Sequence, residues 1–175
     1  MEEPLDETPL VLLAGIASEL IPDAGIAESR AIGSTDPLLW RSYVRAVLAL
    51  VEGLNYARAH VAKHSSHLTP EARLRARDAG KREEASAKAE EPSKIARCTR
   101  ASFAAHAAAH QVPNPLTPFG PDWDAFREAV RIRNRITHPK CVADCRVSAT
   151  DRELVRNVHH WYQELDMKLM DASRQ

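Results

Sequence analysis

Apolar residues recur every three or four positions over most of the chain, which is the spacing of helices that bury one face. The clearest example starts at Asp36-Pro37, where an N-cap residue precedes a helix-starting proline, and continues to about His64. Its apolar stripe consists of Trp40, Val44, Val47, Val51 and Leu54. This pattern predicts a long core helix.

The segment before this helix, residues 1–35, is acidic and rich in small residues. It predicts an N-terminal arm with a short apolar helix from about Pro9 to Leu20. A loop is expected around Pro22 to Thr35, because glycines interrupt the pattern there. We expect this arm to pack loosely on the body of the protein.

Residues 71–91 combine high helix propensity with very little to bury. They contain one leucine, Leu74, among alanines and charged residues, and Thr69-Pro70 precedes them as a helix start. The segment therefore predicts either an exposed helix that projects from the body or a partly disordered stretch.

Three further helical segments follow, separated by a proline-rich loop over residues 112–121 and a second loop over residues 139–149. They run from Ser93 to His110, from Trp123 to about Thr137 with Asp122 as cap, and from Ser148 or Thr150 to about Met170. No segment alternates like a strand. The chain therefore predicts an all-α fold, a bundle of four to five long helices in which residues 36–175 form a single domain.

Composition argues against a general polyanion binder, because 24 basic and 24 acidic residues balance. A nucleic-acid role would have to rest on a local basic patch. No apolar stretch reaches the roughly 20 residues of a membrane span, and the acidic start (Glu2, Glu3, Asp6, Glu7) is unlike a secretory signal. The three cysteines are expected to be reduced thiols of a cytoplasmic protein that does not contact membranes.

Arg133 is the unusual residue of the predicted helix over residues 123–138. At about 100° per residue, Arg127, Arg131 and Arg135 project from the polar half, whereas Arg133 falls inside the apolar arc. A guanidinium cannot lose its proton to escape burial, so it needs an anionic partner. That partner is either a carboxylate of another helix or an anion bound between helices or subunits.

Two polar residues accompany Arg133. Asn134 lies at the edge of the same arc, and His138 ends the helix because Pro139 disfavours helical backbone before it. The segment Arg133-Asn134-x3-His138 resembles the R-x4-6-H motif of the HEPN superfamily, in which a polar residue, often Asn, follows the Arg. The family's motif ends a late helix before a final helix, and the resemblance in architecture covers most of residues 36–172.

This resemblance implies a metal-independent endoribonuclease without a cofactor, in which two protomers of a homodimer bring their motifs together around RNA. His138 would act as general base or acid on a ribose 2′-hydroxyl and on the leaving oxygen. Arg133 would hold the scissile phosphate, and Asn134 would orient the phosphate or the imidazole. The products would be a 2′,3′-cyclic phosphate and a 5′-hydroxyl. The basic strip that would attract RNA consists of Arg127, Arg131, Arg135 and Lys140.

Toxin-type HEPN proteins pair with a nucleotidyltransferase antitoxin and often carry a Tyr two residues after the His, where this chain has Lys140. If this chain is a toxin or defence protein of that type, the resemblance implies an antitoxin partner. Other HEPN-like proteins keep the fold as dimerisation or interaction modules without turnover. In that alternative, Arg133 pairs with an internal carboxylate and His138 caps its helix.

Other constellations predict no metal or cofactor site. Two groups of histidines share a helix face by spacing, namely His60, His64 and His67, and His106 with His110. No Glu follows His60 as in the zinc-protease pattern, so polar surface is the expectation for the first group, and His106 and His110 are expected to face a partner or solvent. Cys141 and Cys145 beside His138 lack a fourth ligand. Neither a glycine-rich phosphate loop, a nucleophile elbow nor helix–turn–helix spacing is present.

Overall fold

The computed structural model describes residues 9–174, and these form six α-helices and one short 3-10 turn. The helices are α1 (Pro9–Ala31), α2 (Pro37–His64), α3 (Pro70–Glu90), α4 (Lys94–His110), α5 (Pro121–Thr137) and α6 (Ala149–Ala172), and the turn is Val142–Cys145. No strand occurs within this range, so the fold is an all-α helical bundle. None of the helices in residues 9–174 is long and apolar enough to cross a membrane.

Local sequence signals set where most helices begin. The side chains of Asp36, Thr69, Ser93 and Ser148 each accept a hydrogen bond from a backbone N–H in the first turn of α2, α3, α4 and α6. α5 begins after Gly120, whose φ of 91° suits glycine, and has no side-chain cap. The prediction that Asp122 caps α5 is therefore wrong.

Helix α2 is the centre of the bundle, because it contacts every other helix. Its predicted stripe from Trp40 to Leu54 is buried, and it meets Trp123 and Phe126 of α5 and Tyr162 of α6 in one large apolar cluster. Burial of this apolar area is the main force that holds the bundle together. The predicted core helix is confirmed with its boundaries.

Helix α1 is longer and better packed than the sequence predicts. It continues through Pro22 to Ala31 instead of ending near Leu20. Its apolar positions keep their helical spacing after the proline, so Ala24 and Ala31 are fully buried against α2. Pro22 is exposed and removes only one helix hydrogen bond. The acidic residues from Glu2 to Glu7 lie outside the described residues.

Helix α3 does not project from the body. It lies antiparallel along α4, with Ala72, Ala76 and Ala87 buried in the contact. Gly80 allows the closest approach, since an added Cβ would lie 3.3 Å from the Cβ of Ala105. Small side chains let two helices pack without a large apolar stripe, which is why the charged composition of α3 is misleading.

Candidate functional site

Arg133, Asn134 and His138 lie together at the carboxyl end of α5. The backbone N–H of His138 donates to the carbonyl oxygen of Asn134 at 2.9 Å, and His138 then leaves the helix at φ −125° and ψ 62° before Pro139. The side chains of Asn134 and His138 are exposed. The helix end therefore presents an amide and an imidazole to solvent beside a guanidinium.

Arg133 is neither buried in the core nor free. Its Nη2 lies 3.3 Å from Oε2 of Glu52 on α2, and its Nη1 donates to Oδ1 of Asn134 at 3.2 Å. The side chains of Arg133 and Glu52 are 27% and 44% exposed. Glu52 is therefore the carboxylate of another helix that was expected to pair with Arg133. The pair is nevertheless accessible to solvent and to an anion.

The predicted basic strip is largely neutralised by carboxylates. Arg127 lies 3.2 Å from Oε2 of Glu91, and Arg135 donates to Asp151 at 2.9 Å. Both arginine side chains are 32% exposed, so neither is a freely solvated cation on the polar half of α5. Arg131 is exposed and pairs with Glu128 of its own helix at 2.7 Å, and Lys140 is exposed without an ion pair within residues 9–174.

The loop after His138 is held in place by hydrogen bonds. The Asp144 carboxylate accepts from the backbone N–H of Lys140 at 2.8 Å and of Cys141 at 3.2 Å. These bonds lower the pKa of Asp144 below its usual range. Arg45 of α2 donates to the carbonyl of Ile136 at 3.1 Å. Hydrogen bonds therefore hold the backbone two residues before and two residues after His138.

The cavity beside α5 is lined by one of the three motif residues, Asn134. A small cavity of about 200 Å³ lies between α5 and the connection from α3 to α4, and Asn134 lines it with Arg127 and Arg131. Arg133 and His138 are not part of its lining. An enclosed cleft around the motif would therefore need a second surface.

The most deeply buried arginine is one that sequence reasoning missed. Arg58 of α2 is fully buried, and its Nη2 donates to Tyr162 and to Asp166 of α6, both at 2.8 Å. Its guanidinium also lies 4.3 Å from the ring centroid of Phe103. The signal was present, because Arg58 follows Leu54 by four residues and so continues the apolar stripe of α2.

A second missed cluster joins α1 to α6. Glu28 lies 3.1 Å from Arg156, 3.5 Å from His159 and 3.6 Å from His160. Glu28, His159 and His160 are the one group of three ligand-type side chains within residues 9–174 whose atoms lie close enough for a metal ion. Arg156 already neutralises the Glu28 carboxylate, and burial lowers the pKa of His159. These polar contacts hold α1 against α6 without a metal ion.

The histidine pairs predicted by spacing do share helix faces. The ring centroids of His60 and His64 are 4.6 Å apart, and those of His106 and His110 are 4.5 Å apart. His106 is buried rather than on the surface, and burial lowers its pKa to about 3. Neither pair belongs to a three-ligand group in the described part of the chain. The three cysteines are free thiols.

Comparisons of the chain with protein-family models, with curated proteins and with solved structures found no match.

Proposed function

We propose that the protein is a HEPN-like, metal-independent endoribonuclease whose site consists of Arg133, Asn134 and His138. The observation that carries the proposal is the exposure of His138 and Asn134 beside a guanidinium held at 3.3 Å from one carboxylate in a solvent-accessible pair. A phosphate oxygen can replace that carboxylate, because the contact is single and exposed.

The proposed reaction transfers two protons, one from the attacking 2′-hydroxyl and one to the leaving 5′-oxygen. The imidazole of one His138 takes the proton of the 2′-hydroxyl, and the 2′-oxygen bonds to phosphorus while the bond to the 5′-oxygen breaks. The His138 imidazolium of a second copy gives the leaving oxygen its proton. Arg133 stabilises the charge that develops on the phosphoryl oxygens, and Asn134, bonded to Arg133 at 3.2 Å, orients it.

A homodimer supplies the surface that one chain lacks. Since Arg133 and His138 do not line the cavity beside α5, a second α5 end facing them would exclude water from the phosphate. The protein would act on RNA in the cytoplasm, where free thiols stay reduced. An antitoxin that blocks the activity would cover the exposed end of α5.

A second candidate function is a non-catalytic helical interaction module with the same fold. The observation in its favour is the matching of the α5 arginines by carboxylates of other elements, Glu52, Glu91 and Asp151. These pairs leave less positive surface for RNA than the sequence predicts. In this alternative they position α5 against its neighbours.

Cleavage of a labelled RNA in the presence of a chelator distinguishes the two functions. The proposed enzyme cleaves under these conditions, fails when the 2′-hydroxyl at the scissile position is replaced by hydrogen, and loses about 10²–10⁴-fold of its rate in His138→Ala. His67→Ala, which changes another exposed histidine, is the matched control. Equal cleavage by His138→Ala and the native protein would refute the assignment.

Glu52→Gln provides a test of the role of Arg133. The Arg133–Glu52 pair is exposed enough to contribute only about 0–1 kcal/mol, so the variant should fold normally. The enzyme proposal expects RNA binding to be kept or strengthened, because Arg133 becomes free for phosphate. An absence of cleavage by the native protein, together with a dimer that weakens in Arg133→Ala, would favour the interaction module.

A further inference from the structure

A large groove runs between α2, α3 and α4, and it meets the proposed ribonuclease site only at Glu52. Its volume is about 580 Å³, within the usual range for small-molecule sites. On α2 it extends from Glu52 to Lys63, which is about 17 Å at the rise of an α-helix. The groove is therefore long enough for an extended chain rather than a compact ligand.

The groove exists because α3 has no large side chains to fill the space beside α2. Ala76 and Gly80 of α3 pack closely on α4, and Ala62 and Ala105 complete a small buried cluster at one end. Ile95 forms the apolar floor near the other end. A surface of methyl and methylene groups in a concave strip matches an alkyl chain.

The charges around the groove are distributed unevenly along its length. Lys63 and Arg77 directly follow the buried Ala62 and Ala76 in sequence, so they lie at that end, and Lys81 lies one helical turn further along α3. Lys63 and Lys81 have no ion pair among residues 9–174, and Arg77 contacts only its exposed neighbour Asp78.

The opposite end of the groove contains a thiol and charges of both signs, namely Glu52, Glu84 and Lys94. Burial raises the pKa of the Cys98 thiol above its ordinary value, and Glu84 and, more weakly, Glu52 add to this shift against Lys94 and Arg97. Glu52 is also paired with Arg133. An anionic group is therefore attracted to the end of the groove that is far from Cys98.

We propose that this groove binds a single-chain anionic amphiphile of the fatty-acid class. Its carboxylate lies among Lys63, Arg77 and Lys81, and its alkyl chain covers the small apolar residues and extends toward Cys98. Neutral and cationic chains of the same length bind less well, because they leave the cationic end without an anion.

The chain contains its own reporter for this proposal. Cys98 lines the groove, whereas Cys141 and Cys145 lie outside it in the loop after α5. Alkylation by iodoacetamide, followed for each thiol by mass spectrometry, should slow at Cys98 when dodecanoate is added below its micelle concentration. The rates at Cys141 and Cys145 should stay unchanged.

Two sets of controls test the parts of the proposal. Dodecanol and dodecylammonium should protect Cys98 much less than dodecanoate does. Lys63→Gln with Lys81→Gln should weaken the dodecanoate effect roughly three- to tenfold, whereas Lys88→Gln, on the exposed side of α3, should not change it. Ala59→Leu, at an exposed position of the lining, should block the groove without affecting the core.

Three outcomes would overturn the proposal. The first is an absence of Cys98 protection at any dodecanoate concentration below micelle formation. The second is equal protection by dodecylammonium, since charge complementarity would then play no part. The third is protection by an amphipathic peptide but not by dodecanoate, which would assign the groove to a protein partner.

Discussion

Removing the counter-charge of the buried Arg58 should strongly destabilise the protein. The side chain of Arg58 is 0% exposed, and within residues 9–174 Asp166 is the one carboxylate in ion-pair distance. Oδ1 of Asp166 accepts from Nη2 at 2.8 Å and from Nε at 3.0 Å. Asp166→Ala deletes both hydrogen bonds and leaves a guanidinium that cannot lose its proton.

The expected loss follows from what remains around Arg58. Breaking a buried ion pair on one side costs about 3–5 kcal/mol. Asn55 and Tyr162 still accept hydrogen bonds, and the Asp166 side chain is 20% exposed, so water can reach the vacated place. We therefore expect the free energy of unfolding to fall by about 3 kcal/mol, the lower end of that range. This corresponds to a melting temperature lower by roughly 6–12 °C for a chain of this size.

Urea unfolding followed by helix circular dichroism measures this loss. Glu164→Ala is the matched control, because Glu164 lies two residues earlier on α6 in an exposed pair with Lys168 and should change stability by less than about 0.5 kcal/mol. Arg58→Met with Asp166→Leu removes both charges and should recover most of the stability. A loss below about 1 kcal/mol in Asp166→Ala would refute the reasoning.

Two further predictions concern pH and helix capping. The pKa of His106 is about 3 in the folded protein, because burial and then His110 disfavour its charge. The unfolded chain therefore takes up a proton below about pH 6.5 that the folded chain does not, and the urea midpoint should fall with acidification, less steeply in His106→Gln. Ser148→Ala should lower the free energy of unfolding by about 1 kcal/mol in the same assay. Thr150→Ala, at the second residue of α6, should lower it little. Equal losses in the last two variants would contradict the capping role.

Helix positions were predictable because their signals are local. Caps and first-turn prolines act on the backbone within three residues, and the stripe of α2 repeats a pattern that only a helix can bury on one face. The choice between Ser148 and Thr150 was left open, and the structure shows Ser148 in a capping box with Asp151. The capping preference of Ser and Thr identifies both residues as candidates, but it does not decide between them.

Two errors concern how helices pack against each other. A loop was predicted around Pro22 to Thr35, yet α1 continues to Ala31, because burial of Ala24 and Ala31 on α2 outweighs the hydrogen bond lost at Pro22. The polar composition of α3 predicted either a projecting helix or a partly disordered stretch, although alanines suffice for a close contact with α4. Both outcomes depend on the shape of a partner helix, which no window of the sequence contains.

The motif at the end of α5 illustrates both what the local sequence determines and what the packing of the helices determines. The sequence by itself determined that Arg133, Asn134 and His138 stand at one helix end, because their spacing and Pro139 set this locally. Only the tertiary structure decided that Glu52 faces Arg133, and that Arg58 rather than Arg133 is the arginine sealed in the core. Ion pairing and burial depend on which groups approach from other helices, and that follows from packing of the whole bundle.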